Sequence, residues 1–259
     1  METRLGNLYD YPKYYDLVFG SDWKAEYDFL LAAFDRYAAR RVRRVFEPAC
    51  GTGRLLLPLA KAGYRVAGND LNPKAVAYCN RRLARHGFKS TAVVGDMADF
   101  TLRRPVDAAF NTINSFRHLA SESQARAHLE CMANALAPGG IYLLGLHLTP
   151  TRGEAIDEES WAARRGNLAV ISHMQTLSVD LKARMETVGM TFDVYTPTQN
   201  FRLANEIGFR TYTARQMRAL LESDSAFEVA AVYDFAYEID EPIRVGPETE
   251  DVVYVLRRV

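Results

Sequence analysis

Arg44-Val45-Phe46-Glu47-Pro48-Ala49-Cys50-Gly51-Thr52-Gly53-Arg54-Leu55-Leu56-Leu57 decides how the rest of the chain is read. A short apolar strand ends in an acid, a tight turn of small residues follows, and an apolar helix begins at once. Arg65-Val66-Ala67-Gly68-Asn69 is a second strand, and Asp70 closes it. An open, doubly wound α/β sheet uses this order of parts to hold an adenosine-containing cofactor. The turn lets the ligand approach the backbone, and the acid on the second strand accepts from the ribose hydroxyls.

The kind of turn narrows the ligand. A dinucleotide site wants a third glycine, so that helix and strand close around a pyrophosphate. Leu56 stands at that place, and Ala49 occupies the position ahead of Gly51 and Gly53 where a glycine is often found. Glu47 repels a diphosphate and attracts an ammonium or sulfonium. The turn therefore suits a positively charged adenosine derivative. One short glycine motif is also what a plain αβ turn without ligand looks like, and the later strand ends weigh against that reading. Thr91-Ala92-Val93-Val94-Gly95-Asp96-Met97 is a third strand, with Asp96 placed to accept from an adenine amino group and Met97 to pack on the ring. Val106-Asp107-Ala108-Ala109-Phe110-Asn111 is a fourth, leading into Thr112-Ile113-Asn114-Ser115-Phe116-Arg117-His118-Leu119. Successive strand ends thus carry polar residues on the edge where open α/β sheets bind ligands.

With these motifs in place, the chain resembles the class I S-adenosylmethionine-dependent methyltransferases, small-molecule type. Glu47 to Arg54 resembles the first motif of that family, Asn69-Asp70-Leu71-Asn72-Pro73 the second, and Gly95-Asp96-Met97 its adenine-contacting segment. Leu136-Ala137-Pro138-Gly139-Gly140-Ile141-Tyr142-Leu143-Leu144 is similar to the turn into its fifth strand. The resemblance is strong over residues 40–147 and looser beyond. It implies a seven-stranded, mostly parallel, doubly wound sheet and S-adenosylmethionine as cofactor. It also implies a cofactor site drawn from Tyr15, Glu47, Ala49, Gly51, Gly53, Asp70, Leu71, Asp96, Met97, Asn111 and Asn114. The departure is Ala49, which is small enough that a slightly tighter fit is expected.

Composition bounds the partners. Lys plus Arg equals Asp plus Glu at 32 each, a formal net charge of zero, which argues against nucleic acid as partner. Three cysteines (Cys50, Cys79, Cys131) without a C-x-x-C pair fit a reduced, cytoplasmic protein better than a disulfide framework or zinc site. No apolar run approaches the ~20 residues of a membrane span, and the N-terminus has no apolar signal core.

Residues 1–40 are helical in pattern and rich in tyrosine, and resemble a cap closing over the cofactor, with Ser21 or Asp22 as helix cap. Residues 41–147 are the cofactor-binding core. Residues 148–212 break the βα rhythm: Arg165-Gly166-Asn167 is a hairpin turn, and alternation in 182–195 and 201–209 predicts a small antiparallel sheet of three or four strands. Such an insertion builds an acceptor pocket or a contact between two copies in a homodimer. Residues 213–259 supply a Thr213-capped helix and two edge strands.

Methyl transfer from a sulfonium is an in-line displacement that needs an acceptor lone pair placed against the methyl carbon and water excluded. It calls for no metal, and the histidines show no metal-binding spacing. A base helps when the acceptor is a hydroxyl or a protonated amine. His118, after the fourth strand, is the candidate base; Tyr11, Arg117 and His147 are candidate acceptor contacts. The function expected is methylation of a nitrogen or oxygen on a small molecule, with nitrogen favoured. The alternative is a catalytically silent protein of the same fold, against which Glu47, Asp70 and Asp96 together speak.

Overall fold

The computed structural model describes residues 1–153 and 158–259. In chain order the elements are β1 (Glu2–Leu5), α1 (Pro12–Phe19), α2 (Lys24–Tyr37), β2 (Arg44–Pro48), α3 (Leu56–Lys61), β3 (Arg65–Asp70), α4 (Pro73–Arg85) and β4 (Ala92–Val94). There follow β5 (Val106–Asn111), α5 (Glu122–Ala135), β6 (Leu136–His147), β7 (Glu158–Arg165), β8 (Leu168–Asp180) and β9 (Met185–Tyr195). The chain closes with β10 (Asn200–Arg210), α6 (Ala214–Glu222), β11 (Phe227–Tyr233) and β12 (Asp251–Arg258).

A seven-stranded sheet in the order β11-β12-β6-β5-β2-β3-β4 forms the centre. Strands β2 to β6 run parallel, while β12 lies antiparallel to β6 and β11 antiparallel to β12. The strand order reverses at β2, which has β3 on one side and β5 on the other. The glycine turn leaving β2 therefore opens at the topological switch point, where such sheets leave a crevice.

Alternation along each strand divides the core between two faces. Val45, Val253 and Val255 join Phe29, Leu30 and Phe34 of α2, Leu56 of α3 and Leu83 of α4. Phe46, Val252 and Tyr254 join Leu129 and Met132 of α5 and Met217 and Leu220 of α6. Capping boxes start two of these helices, Ser121 with Gln124 for α5 and Thr213 with Gln216 for α6. At α2 the expectation fails: Trp23 is the N-cap residue and makes no side-chain cap, while the Ser21 hydroxyl donates back to the Val18 carbonyl.

The insertion forms strands β7 to β10, and the second sheet has five strands in the order β1-β10-β9-β8-β7. Its fifth member corrects the reading of residues 1–40 as helical. Glu2–Leu5 is a strand, parallel to β10 with Glu2 opposite Phe201. It is short, polar and largely exposed, so no apolar alternation announces it; what holds it is the free backbone edge of β10. Leu8, Leu17 and Val18 pack on Val170, Phe192, Val194 and Leu203 as a third apolar cluster. Among the described residues no helix is long and apolar enough to cross a membrane.

Candidate active site

Three residues of the turn after β2 have positive φ: Ala49 at 52°, Gly51 at 51° and Gly53 at 67°. They fold the chain back so that the Gly53 amide donates to the Cys50 carbonyl at 2.9 Å and the Cys50 amide to the Asn69 carbonyl at 2.9 Å. A Cβ on Gly53 would stand 2.4 Å from Cys79 Sγ, whereas one on Gly51 would meet nothing within 4 Å. Gly53 is packed against α4, and Gly51 faces open space. At Ala49 the effect of replacing glycine is conformational: the left-handed region costs an L-residue roughly 1–2 kcal/mol.

Asp70 locks this turn to the second strand. Its Oδ2 accepts from the Gly51 amide and its Oδ1 from the Asn72 amide, each at 2.8 Å. Burial raises its pKa, and those two amides oppose the rise. Each carboxylate oxygen keeps lone-pair capacity for a further donor. Because β2, β3 and β4 are adjacent and parallel, Glu47, Asp70 and Asp96 lie along one carboxyl rim. Asp96 Oδ1 accepts from the Ala98 amide at 2.8 Å, and its carbonyl accepts from Asn69 Nδ2 at 3.0 Å. Leu71, 68% exposed, stands beside Asp70. Met97 is a correction: its side chain is buried with Phe46 and Phe116 in the core, and its carbonyl accepts from His128 Nδ1 at 2.9 Å. Asn111 is likewise inside the sheet, its Nδ2 donating to the Pro48 carbonyl at 2.8 Å while Oδ1 has no partner.

Glu47 is buried, and burial pushes its carboxyl well above the ordinary range, with Arg54 acting in the opposite direction. Its Oε2 is buried without a hydrogen-bond partner. An unpartnered acid at the rim and an open approach over Gly51 fit the expected sulfonium nucleoside and leave no provision for a pyrophosphate.

The N-terminal segment is clasped over this rim. Asp16, buried on α1, receives Arg82 at 2.6 and 3.1 Å and the hydroxyls of Thr52 and Tyr78 at 3.0 Å each. Asp10 receives Asn72 Nδ2 at 2.8 Å and Lys74 Nζ at 3.0 Å. Tyr15 packs on Tyr9 and Phe19, with ring centroids 5.3 and 4.7 Å away. Its hydroxyl is pushed up to about 12, mainly by burial, with Arg54 lowering and Asp70 raising it.

A crevice of about 250 Å³ opens between the ends of β5 and β6 and the inserted sheet. Asn114, His147, Glu186, Phe209 and Asp251 are among its walls. Asn114 has φ 57°, and its Oδ1 accepts from the His147 amide at 3.1 Å. His147 Nδ1 lies 2.6 Å from Asp251 Oδ1. Arg117 is in the crevice lining, where it is buried, ion-paired with Glu186 and donates to the Arg210 carbonyl at 2.9 Å. Tyr11 lies outside the crevice walls and stacks on Tyr14 at 6.2 Å.

His118 stands behind the crevice wall, its ring 4.8 Å from Phe209 and its Nε2 3.0 Å from the Tyr9 hydroxyl. Crowding by the surrounding protein, then the Arg117 charge, lower its pKa to about 4, although one edge of the residue remains open to solvent. The ring is therefore neutral at pH 7. Tyr9 was not singled out by the sequence, nor were Glu26, Arg54 and Glu186. An acid in the apolar face of α2 and an arginine directly after Gly53 were the available signals.

The fold and its rim define a class. Residues 45–140 match the methyltransferase domain model. A dTDP-3-amino-3,6-dideoxy-alpha-D-glucopyranose N,N-dimethyltransferase of Streptomyces fradiae is 33% identical over 135 residues, 50% of each chain. The chain spans about half the length of the curated relatives it matches. Among solved structures, an S-adenosylmethionine-dependent methyltransferase from Clostridium acetobutylicum superposes with a TM-score of 0.78 at 16% identity, over 97% of this chain and 99% of that one. An S-adenosylmethionine-bound amino pentose methyltransferase from Micromonospora echinaspora, involved in calicheamicin biosynthesis, superposes at 0.73 and 20% identity, over 100% of each. In its fold, and in the sequence of residues 45–140, the chain is similar to S-adenosylmethionine-dependent methyltransferases.

Proposed function

We propose that the protein binds S-adenosylmethionine along the β2–β4 rim and methylates the amino nitrogen of a small molecule held in the crevice. The observation that carries the reading is Asp70 bonded to the Gly51 amide at the switch point, with an unpartnered Glu47 on the neighbouring strand. The cofactor supplies a methyl group already activated on a sulfonium. Asp70 would accept from the ribose hydroxyls, Asp96 from the adenine amino group, and Glu47 would favour the positive charge. Tyr15 would cover the site and exclude water, held there by the Asp16 clasp.

The crevice favours nitrogen over oxygen as acceptor. Its walls include Glu158, Glu159, Glu186, Glu250 and Asp251 against Arg117 and His147, and Arg117 and His147 already face carboxylates. Such a lining attracts an ammonium. The amino group of the sugar on which the Streptomyces fradiae enzyme acts is a chemistry of this kind. His118 stays unprotonated at neutral pH, with Tyr9 holding the ring behind Phe209, and is the candidate base for an acceptor that reaches past that wall.

Calorimetric titration with S-adenosylhomocysteine, followed by incubation with S-adenosylmethionine and small amino sugars, tests the proposal. Binding well below ~100 μM and addition of methyl groups to an amine are expected. No binding at that concentration would overturn it.

A further inference from the structure

A crevice that draws in an ammonium sets a chemical problem, because a protonated nitrogen has no lone pair with which to take a methyl group. The more firmly carboxylates hold the charge, the more the reaction needs a group that removes the proton. Carboxylates are weak bases at neutral pH, and a guanidinium such as Arg117 only donates. Glu186 is already engaged, facing Arg117 and accepting from the Thr176 hydroxyl at 2.8 Å. His118 lies behind Phe209 with its Nε2 on the Tyr9 hydroxyl. Among the described residues that line the crevice, His147 is the one imidazole.

His147 closes β6 and Asp251 opens β12, and the antiparallel register sets the two directly opposite. Residues paired in this way share one face of a sheet. His147 Nδ1 lies 2.6 Å from Asp251 Oδ1. An ionised carboxylate only accepts, so Nδ1 carries the proton and Nε2 is left with a lone pair. Among the described residues nothing bonds to that Nε2. Asn114 Oδ1 takes the His147 backbone amide at 3.1 Å, and the Phe235 ring meets the imidazole edge-on at 5.1 Å. The His147 side chain is 30% exposed and that of Asp251 40%, so the pair is held in place yet open to a ligand. A purely structural bond would add little here, since the two strands already pair from Asp251–His147 through Arg257–Ile141.

We propose that His147 is the base that takes the proton from an ammonium held in the crevice, with Asp251 a positioning residue that fixes its tautomer. The assignment rests on the proposed methylation of an amine and names the group that prepares the acceptor. The N–H bond breaks, the proton goes to His147 Nε2, and the electron pair stays on the acceptor nitrogen. That pair forms the bond to the methyl carbon as the C–S bond breaks, and the sulfonium becomes a neutral thioether. The product nitrogen then carries the positive charge, and the imidazolium passes its proton to solvent.

The test is steady-state methylation of amino sugars by variants whose cofactor site is checked separately. His147→Ala is expected to lower kcat about 10²-fold, to leave KM for the amine within a few-fold, and to bind S-adenosylhomocysteine as the wild type does. Imidazole added to that variant should restore part of the lost rate. Asp251→Asn should lower kcat as well and redistribute the ring proton. NMR of the ring nitrogens reads that redistribution without any cofactor: Nδ1 protonated and Nε2 bare in the wild type, both tautomers in the variant. Should His147→Ala fail to fold, His147→Gln and the wild-type NMR carry the comparison. An unaltered kcat, a loss confined to KM, or a wild-type ring protonated at Nε2 alone overturns the assignment and leaves amine methylation standing. A wild type that binds no S-adenosylhomocysteine, or methylates none of the amino sugars, overturns the proposed function and this base with it.

Discussion

Asp70 serves two backbone amides at once, so it shapes the turn as well as being the proposed acceptor for the ribose hydroxyls. Asp70→Ala is expected to weaken S-adenosylhomocysteine binding by roughly 1.5–3 kcal/mol, the scale of lost hydrogen bonds to a charged group; unchanged affinity in a calorimeter would remove it from the site. The two glycines beside it differ in kind. At Gly53 a Cβ meets Cys79 Sγ at 2.4 Å as well as a φ of 67°, so Gly53→Ala should cost about 2–4 kcal/mol of stability in urea unfolding. Gly51→Ala meets only the backbone strain, about 1–2 kcal/mol. Its methyl would enter the open space above the turn, so binding should suffer more than folding. His118→Ala should lower turnover by about 10²-fold at saturating acceptor if the ring takes the proton; an unaltered rate would leave it structural.

Among the elements, α5 carries a pH dependence of its own. His128 is fully buried, with Nδ1–H donating to the Met97 carbonyl and Nε2 accepting from the Tyr142 hydroxyl at 2.8 Å. Burial lowers its pKa to about 4, against a smaller upward pull from the Met97 carbonyl. The folded protein thus disfavours the proton that the unfolded chain binds below about 6.5. The resulting stability is fully present above pH 6.5 and is lost as the pH falls toward 4, about 3 kcal/mol in all. Denaturant unfolding from pH 7.5 to 4.5 should show most of that loss in the wild type and much less in His128→Gln; parallel pH curves would refute it. The α1 clasp was only partly readable. Tyr15 stood out, but the partners of the neighbouring Asp16 carboxylate, Thr52 on the turn after β2 and Tyr78 and Arg82 on α4, come from two places that only folding assembles.

For the molecule as a whole, the crevice proposed to hold the acceptor belongs to neither sheet alone. Asn114 and His147 come from the parallel sheet's rim, Glu186 and Phe209 from β9 and β10 of the other. Its excess of carboxylates predicts a salt effect: kcat/KM for an amine acceptor should fall several-fold between about 50 mM and 500 mM salt, as screening shortens from beyond 10 Å to a few ångströms. A neutral alcohol should show no such dependence, and a rate that rises with salt would point to an anionic acceptor.

What the amino-acid sequence determined by itself was the local grammar: β2, the glycine turn, β3 and its closing acid, the capped helices, and the alternating strands of the insertion. Each rests on residues a few positions apart, whose backbone preferences and apolar periodicity act before anything distant is in place. Tertiary structure alone decided that Arg117 is neutralised by Glu186, that Tyr9 meets His118, that Met97 turns into the core and that Glu2–Leu5 completes an edge of the second sheet. Those outcomes depend on which buried charge finds a partner and which backbone edge lies open once two sheets pack together, and no spacing along the chain encodes that.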